Sequence, residues 1–199
     1  MHRFYVSVLL TSLLTACGGG ASDVVGNPPS IKNPGVVAGQ YLSFIYFQKC
    51  INPIFLAQLP VQSGGSTATN TCAGSGCHDT TTGTGGALRI VPAAQAVDLA
   101  DAANTAAAVR LSDMYKNFYS AQGATVIGSI SQSRLLTKPL LMGVLHGGGL
   151  IFTSEQDPNA QLIKYWISHP MPVGQDEFST AGNALFTPPD AKAGTCNTQ

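Results

Sequence analysis

An odd number of cysteines limits this chain more than any other feature. Cys17, Cys50, Cys72, Cys77 and Cys196 make five thiols, and five cannot all pair, so at least one must do something else. At 199 residues a single domain can bury a core without several disulfides to hold it, which leaves the cysteines free for other chemistry. Ten Lys+Arg balance ten Asp+Glu, and only 10% of residues are charged, against roughly 25% in ordinary soluble domains. A basic surface for nucleic acid is thereby excluded, and the 44% hydrophobic fraction argues against full disorder.

The first thiol follows a secretion-like start. Met1-His2-Arg3 is short and basic, and Phe4 to Leu14 is apolar apart from Ser7, Thr11 and Ser12. A spanning helix needs about 20 apolar residues, so this shorter run suits a signal peptide. It ends in Leu14-Thr15-Ala16-Cys17, which resembles the lipobox of bacterial lipoproteins; the alternative is an ordinary signal with a chance cysteine. The resemblance implies a signal at 1–16, lipidation of Cys17 as the new N-terminus, and an extracytoplasmic location anchored by several acyl chains. Gly18 stands where an aspartate would resemble an inner-membrane retention signal, so the outer membrane is expected. Residues 17–40, rich in Gly, Pro, Asn and Ser, read as a flexible tether.

The remaining segment, 41–199, reads as one domain. Tyr41, Phe44, Ile45, Gln48 and Ile51 fall near one helical face, which Asn52-Pro53 is expected to interrupt; Ile54 to Leu59 is a second apolar piece, and a polar stretch then leads to Cys72. Leu111, Met114, Tyr115, Phe118 and Tyr119 predict a helix that stops at Gly123 and is extended upstream from Ala102. Asp157-Pro158 starts a last helix that buries Leu162, Ile163, Trp166 and Ile167 and ends at Pro170. Beyond Met171 the chain is expected to be loop-rich. No repeat of 20 to 50 residues is visible, and no hydrolase motif or phosphate loop is present; Gly83-Thr84-Gly85-Gly86 lacks the context of a nucleotide site.

Cys72-Ala73-Gly74-Ser75-Gly76-Cys77-His78 reads C-x-x-x-x-C-H, a lengthened form of the C-x-x-C-H haem-attachment motif. Two thiols would add to the haem vinyls, and the adjoining histidine would lie beneath the iron. The extra residues are small enough to loop out. A Cys72–Cys77 disulfide or a structural zinc site using His78 reads equally from the motif alone.

Further along stand Ser133-Arg134-Leu135-Leu136-Thr137-Lys138-Pro139, then Leu145-His146-Gly147-Gly148-Gly149, then Tyr165-Trp166-Ile167. With Pro53-Ile54-Phe55 upstream, this resembles a family of bacterial extracytoplasmic c-type cytochrome domains, written S-x-L-L-x-K-P, H-G-G-G and a closing W-I helix, over about 41–167. The resemblance implies a mainly α, cytochrome c-like helical domain with long loops, carrying one covalent haem c on Cys72 and Cys77. It implies His78 as proximal ligand and, on the loop before the last helix, His146 as distal ligand, with Met142 as runner-up and a plain surface or core histidine as the alternative. Met171 is a further thioether, and His169 is expected to meet the last helical carbonyls. Arg89, Arg134 and Lys138 are candidate propionate partners, each otherwise an ordinary surface cation.

With those assignments, Cys50 and Cys196 remain and are expected to bridge in an oxidising compartment. The reading is an electron carrier, not an enzyme, that serves a redox partner protein from a lipid anchor on the membrane. Its rivals are a haemless disulfide-bonded envelope lipoprotein and a haem-bearing sensor whose iron binds carbon monoxide.

Overall fold

A computed structural model describes residues 40–199. The expected signal segment at 1–16, the lipidation at Cys17 and the tether as far as residue 39 lie outside the described residues.

The first element is a helical run in three pieces: α1 (Phe44–Tyr46), a π-helical turn (Phe47–Ile51) and α2 (Asn52–Leu56). Ser43 caps it, its Oγ accepting the Tyr46 N–H at 3.2 Å, which satisfies one of the free donors of the first turn. Contrary to the sequence expectation, Pro53 does not break the run. Proline has no N–H to donate and its ring crowds the carbonyl one turn back; the preceding turn widens instead, with the Asn52 N–H reaching the Phe47 carbonyl in the longer π spacing.

The polar stretch before Cys72 is a hairpin, which the sequence reading missed. Strands β1 (Leu59–Ser63) and β2 (Ser66–Asn70) pair antiparallel with Ser63 opposite Ser66. Gly64 and Gly65 form the turn at φ of 57° and 81°, the left-handed pair that a tight two-residue turn requires. Because β2 is exposed along its whole length, no apolar alternation marked it as a strand.

The expected middle helix is split into α3 (Ala106–Val109) and α4 (Asp113–Gly123). Ser112 stands between them and its Oγ accepts the Tyr115 N–H at 3.1 Å, so the capping serine starts a new helix instead of continuing the alanine run. Met114, Phe118 and Ala121 face the core, while Leu111 and Tyr119 are exposed. After the short α5 (Arg134–Thr137) comes α6 (Pro158–Ser168). Its start matches the sequence reading: the Asp157 carboxylate accepts the Asn159 and Ala160 N–H groups at 2.8 and 3.3 Å.

The core is aromatic where these helices meet. Phe47 lies 5.4 Å from Trp166 and 5.5 Å from Phe118 between ring centres, and the Trp166 indole donates to the Ser43 carbonyl at 2.9 Å, so the one polar atom of the indole is satisfied in the core. A 3₁₀ turn (Thr180–Leu185) and the strand pair β3 (Phe186–Thr187) and β4 (Thr195–Cys196) follow. Cys50 and Cys196 are bridged, with Cα atoms 6.1 Å apart. Beside the bridge, the Lys49 ammonium donates to the carbonyls of Ala191 and Gly194 at 2.7 Å and of Lys192 at 3.1 Å. The C-terminal segment, expected to be loop-rich, is thus fastened to the first helix by one covalent and several charge-assisted links.

These elements correct the expected class. Helices of all kinds make up 31% and strand 12% of the described chain, and only α4 and α6 reach 11 residues. The domain is not a mainly α, cytochrome c-like bundle: short helices and two small hairpins are joined by long connections. The 22 glycines and 12 prolines of the chain account for this, since both terminate helices. Among the described residues no helix is long and apolar enough to cross a membrane.

Candidate metal centre

The Cys72–His78 loop leaves the end of β2 and curls back on itself. The Ala73 N–H is fixed to the Phe55 carbonyl at 3.0 Å, the Cys77 N–H to the Gly74 carbonyl at 3.0 Å, and the His78 N–H closes onto the Cys72 carbonyl at 2.9 Å. Gly76 takes a φ of 78°, open to glycine without cost. Cys72 and Cys77 are half-buried free thiols, in contrast to the bridged Cys50 and Cys196. Burial, then the neighbouring Cys77, pushes the Cys72 thiol up to about 11, so it stays protonated at neutral pH. The Asn70 amide lies 3.5 Å from the Cys77 sulfur.

His78 leads into an extended piece paired with the residues after it. Its carbonyl accepts the Ile90 N–H at 2.7 Å and the Ile90 carbonyl accepts the Thr80 N–H at 2.9 Å, while the ring Nδ1 meets the Leu88 carbonyl at 3.0 Å. His146 is held in a similar manner by a different loop. Its Nδ1 meets the Gly149 carbonyl at 2.8 Å, and Leu150 exchanges two 2.9 Å backbone bonds with Gln62 of β1. The unanticipated hairpin is therefore what seats the histidine loop.

The S-x-L-L-x-K-P block has a structural role in the same neighbourhood. Ser133 is buried, its Oγ accepting the Val126 N–H at 2.9 Å and donating to the Ser129 carbonyl at 2.7 Å. Leu135 and Leu136 fill the core, and the Pro139 carbonyl accepts the Ile151 N–H at 2.9 Å. This block and the hairpin hold the two ends of the His146 loop.

The two imidazoles lie near each other, with ring centres 6.2 Å apart and planes inclined by 11°. A carbonyl only accepts, so each Nδ1 carries a proton, and in a neutral ring so held Nε2 keeps the lone pair. An ion held end-on by two imidazole nitrogens at about 2 Å each would set the ring centres about 6 Å apart. The separation is the one such a pair would have, and the carbonyls at Nδ1 are the outer partners that imidazole ligands ordinarily have. Burial lowers the His78 proton affinity; the Leu88 carbonyl opposes this, and His146, Lys138 and Arg89 add to it. The neutral ring is the form that binds metal. Among the described residues no group of three or more His, Cys, Asp or Glu side chains converges as a metal site.

Other sequence candidates divide. The positive charges of Arg89 and Lys138 act on His78, and Arg89 is steadied by donating to the Gly83 carbonyl at 2.6 Å. Arg134 is exposed and lines a shallow cavity with Gly123 to Val126 and Gln132. Met142 lies on the loop before His146, 41% exposed, with Leu141 at 41% and Leu145 at 92% beside it. Met171 is packed in the core at 2% exposure, and the His169 ring caps α6 through the Tyr165 carbonyl at 2.8 Å. The sequence reading overlooked the Leu88 and Gly149 carbonyls, since a backbone acceptor has no sequence signature.

No family model, no curated protein and no solved structure matches this chain.

Proposed function

We propose that this chain is an electron carrier of the cell envelope. In this reading Cys72 and Cys77 hold one haem c, His78 and His146 fill both axial positions of its iron, and a lipid on Cys17 tethers the protein outside the cytoplasm, on the outer membrane. The neighbouring imidazole pair, 6.2 Å between centres with both Nδ1 atoms tied to carbonyls, carries the proposal. The two unbridged thiols immediately before His78 support it.

Bound haem would supply a one-electron ferric–ferrous couple. Each thiol would become a thioether by adding its S–H across a vinyl C=C: sulfur bonds one carbon, hydrogen the other, and nothing is oxidised. His78 and His146 would hold the haem iron from both sides, which would leave no position for substrate and favour electron transfer over catalysis. Two imidazoles also favour a lower potential than a His–Met pair. Arg89 and Lys138 are the preferred partners of the propionates; Arg134 is less favoured because it lines a separate cavity. The nearly balanced charge suits a redox partner found without strong electrostatic steering.

The rival is a haemless envelope lipoprotein, and the Cys50–Cys196 bridge would serve it equally. Expressing the full chain with haem-maturation machinery separates the two. The expected result is a mass increase of one haem that survives denaturation, sharp bands in the reduced spectrum, and no rapid carbon monoxide binding. Colourless protein of unmodified mass would reject the haem reading, and rapid carbon monoxide binding would point to a sensor.

A further inference from the structure

The Gly83-Thr84-Gly85-Gly86 stretch matches no nucleotide site, yet it lies directly against His78. The loop is folded back onto the end of the cysteine segment by three bonds, Gly83 N–H to the Asp79 carbonyl at 3.0 Å, Gly85 N–H to the Cys77 carbonyl at 2.6 Å and Thr84 Oγ1 to the Gly76 carbonyl at 2.7 Å, and the Arg89 guanidinium steadies it by donating to the Gly83 carbonyl at 2.6 Å. A Cβ added at Gly85 would lie 2.5 Å from His78 Nδ1, 2.6 Å from its Cε1 and 2.6 Å from the Cys77 carbonyl oxygen, where real Cβ atoms essentially never approach below 3.0 Å. The backbone oxygen is fixed by its own bond, so the imidazole would have to yield. Thr84 and Gly86 differ: the Thr84 hydroxyl is turned to Gly76, and a Cβ on Gly86 would meet nothing within 4 Å.

We infer that Gly85 is a positioning residue for the axial ligand: its bare backbone lets the His78 ring keep its bond to Leu88 and its plane parallel to that of His146. This goes beyond the electron-carrier reading but rests on it for the spectroscopic consequence. The angle between two axial ring planes governs how the iron d orbitals split, and hence the spread of g values and the potential. A side chain at position 85 acts on that angle without touching the haem-attachment thiols.

The test compares holoprotein of wild type, G85A and, as control in the same loop, T84A. Haem content by mass and reduced spectrum is read first; a colourless wild type rejects the haem reading and leaves the positioning claim to the ring measurement below. In loaded protein, G85A is expected to shift the low-spin g values and the midpoint potential while T84A keeps the wild-type values. Loaded G85A with unchanged g values and potential overturns the proposal. Ring ¹⁵N shifts of the full chain expressed without haem need no cofactor: His78 is expected as the Nδ1–H tautomer in wild type and T84A and displaced from it in G85A, so identical His78 shifts in folded G85A overturn the proposal, as does a wild-type ring protonated at Nε2 alone should G85A fail to fold.

Discussion

His78 gives its Nδ1 proton to the Leu88 carbonyl at 3.0 Å, and that single bond decides which nitrogen of the ring is free. The acceptor belongs to the strand-like return after the cysteine motif, so the loop that carries the histidine also orients it. His146 repeats the device with Gly149. Two independent loops thus hold two neighbouring imidazoles by the same kind of bond, each Nδ1 against a backbone carbonyl.

Replacing His146 with alanine in the holoprotein is expected to open one axial position. The oxidised spectrum should change from low spin toward high spin and the reduced form should bind carbon monoxide. M142A, which alters an exposed side chain, should leave both observations at their wild-type values; if the two variants behave in the opposite sense, methionine is the distal ligand.

Gly149 has a φ of 78°, and a Cβ there would lie 2.3 Å from the Gln62 carbonyl oxygen. A left-handed non-glycine residue costs roughly 1–2 kcal/mol, and the clash adds to that. G149A should lower the denaturant midpoint by an amount corresponding to about 2 kcal/mol or more, with the loss appearing as weakened pairing between β1 and Leu150 in hydrogen exchange.

The Cys50–Cys196 bridge spans 146 positions of sequence. Loss of such a cross-link typically costs about 2–4 kcal/mol, so C196S should unfold at lower denaturant than wild type, and reductant should erase most of the difference between them. Haem loading at Cys72 and Cys77 should persist in C196S, because neither thiol belongs to the bridge.

Glu177 is buried, and its Oε1 accepts the Arg110 Nε–H at 2.9 Å and the Tyr115 O–H at 2.8 Å, while Oε2 has no hydrogen-bond partner among the described residues. Burial by itself would raise this carboxyl, but the Arg110 and Tyr115 bonds and its backbone bond hold it below the usual carboxylate range. Asp176 faces the same guanidinium at 3.9 Å. A folded-state value below the unfolded one means stability that is present above the unfolded value and is lost as pH falls through the folded one. Wild-type stability should therefore decline on acidification below the ordinary glutamate range. E177Q should be less stable at neutral pH by about 1–3 kcal/mol and should show a flatter acid limb in pH-dependent unfolding.

Features with a local chemical cause were legible in the sequence. Asp157-Pro158 starts α6 because both residues act within one turn, and Phe118 and Trp166 lie on the apolar faces that periodicity picks out. Cys50 and Cys196 were paired by elimination, and the fold brings them together. What escaped was non-local or backbone-borne. Pro53 reads as a break because the π turn that absorbs it leaves no trace in residue type. The Leu59–Asn70 hairpin is held by pairing and a two-glycine turn without an apolar face, and its contact with Leu150 depends on a segment far along the chain. Helix content was overestimated because alanines from Ala102 onward favour helix, yet the Ser112 hydroxyl competes for the backbone and starts a new one.

His78 and His146 belong to loops far apart in sequence, and their ring centres lie 6.2 Å apart. A group bound between them would tie the two loops together in the folded state, whereas links to Cys72 and Cys77 would close only the short cysteine loop. Ligation would then add folding free energy that grows with the logarithm of the affinity. The protein would mature in two grades of rigidity: the aromatic core and the Cys50–Cys196 tie set by the polypeptide, and the His146 loop tightened only when the space between the rings is filled.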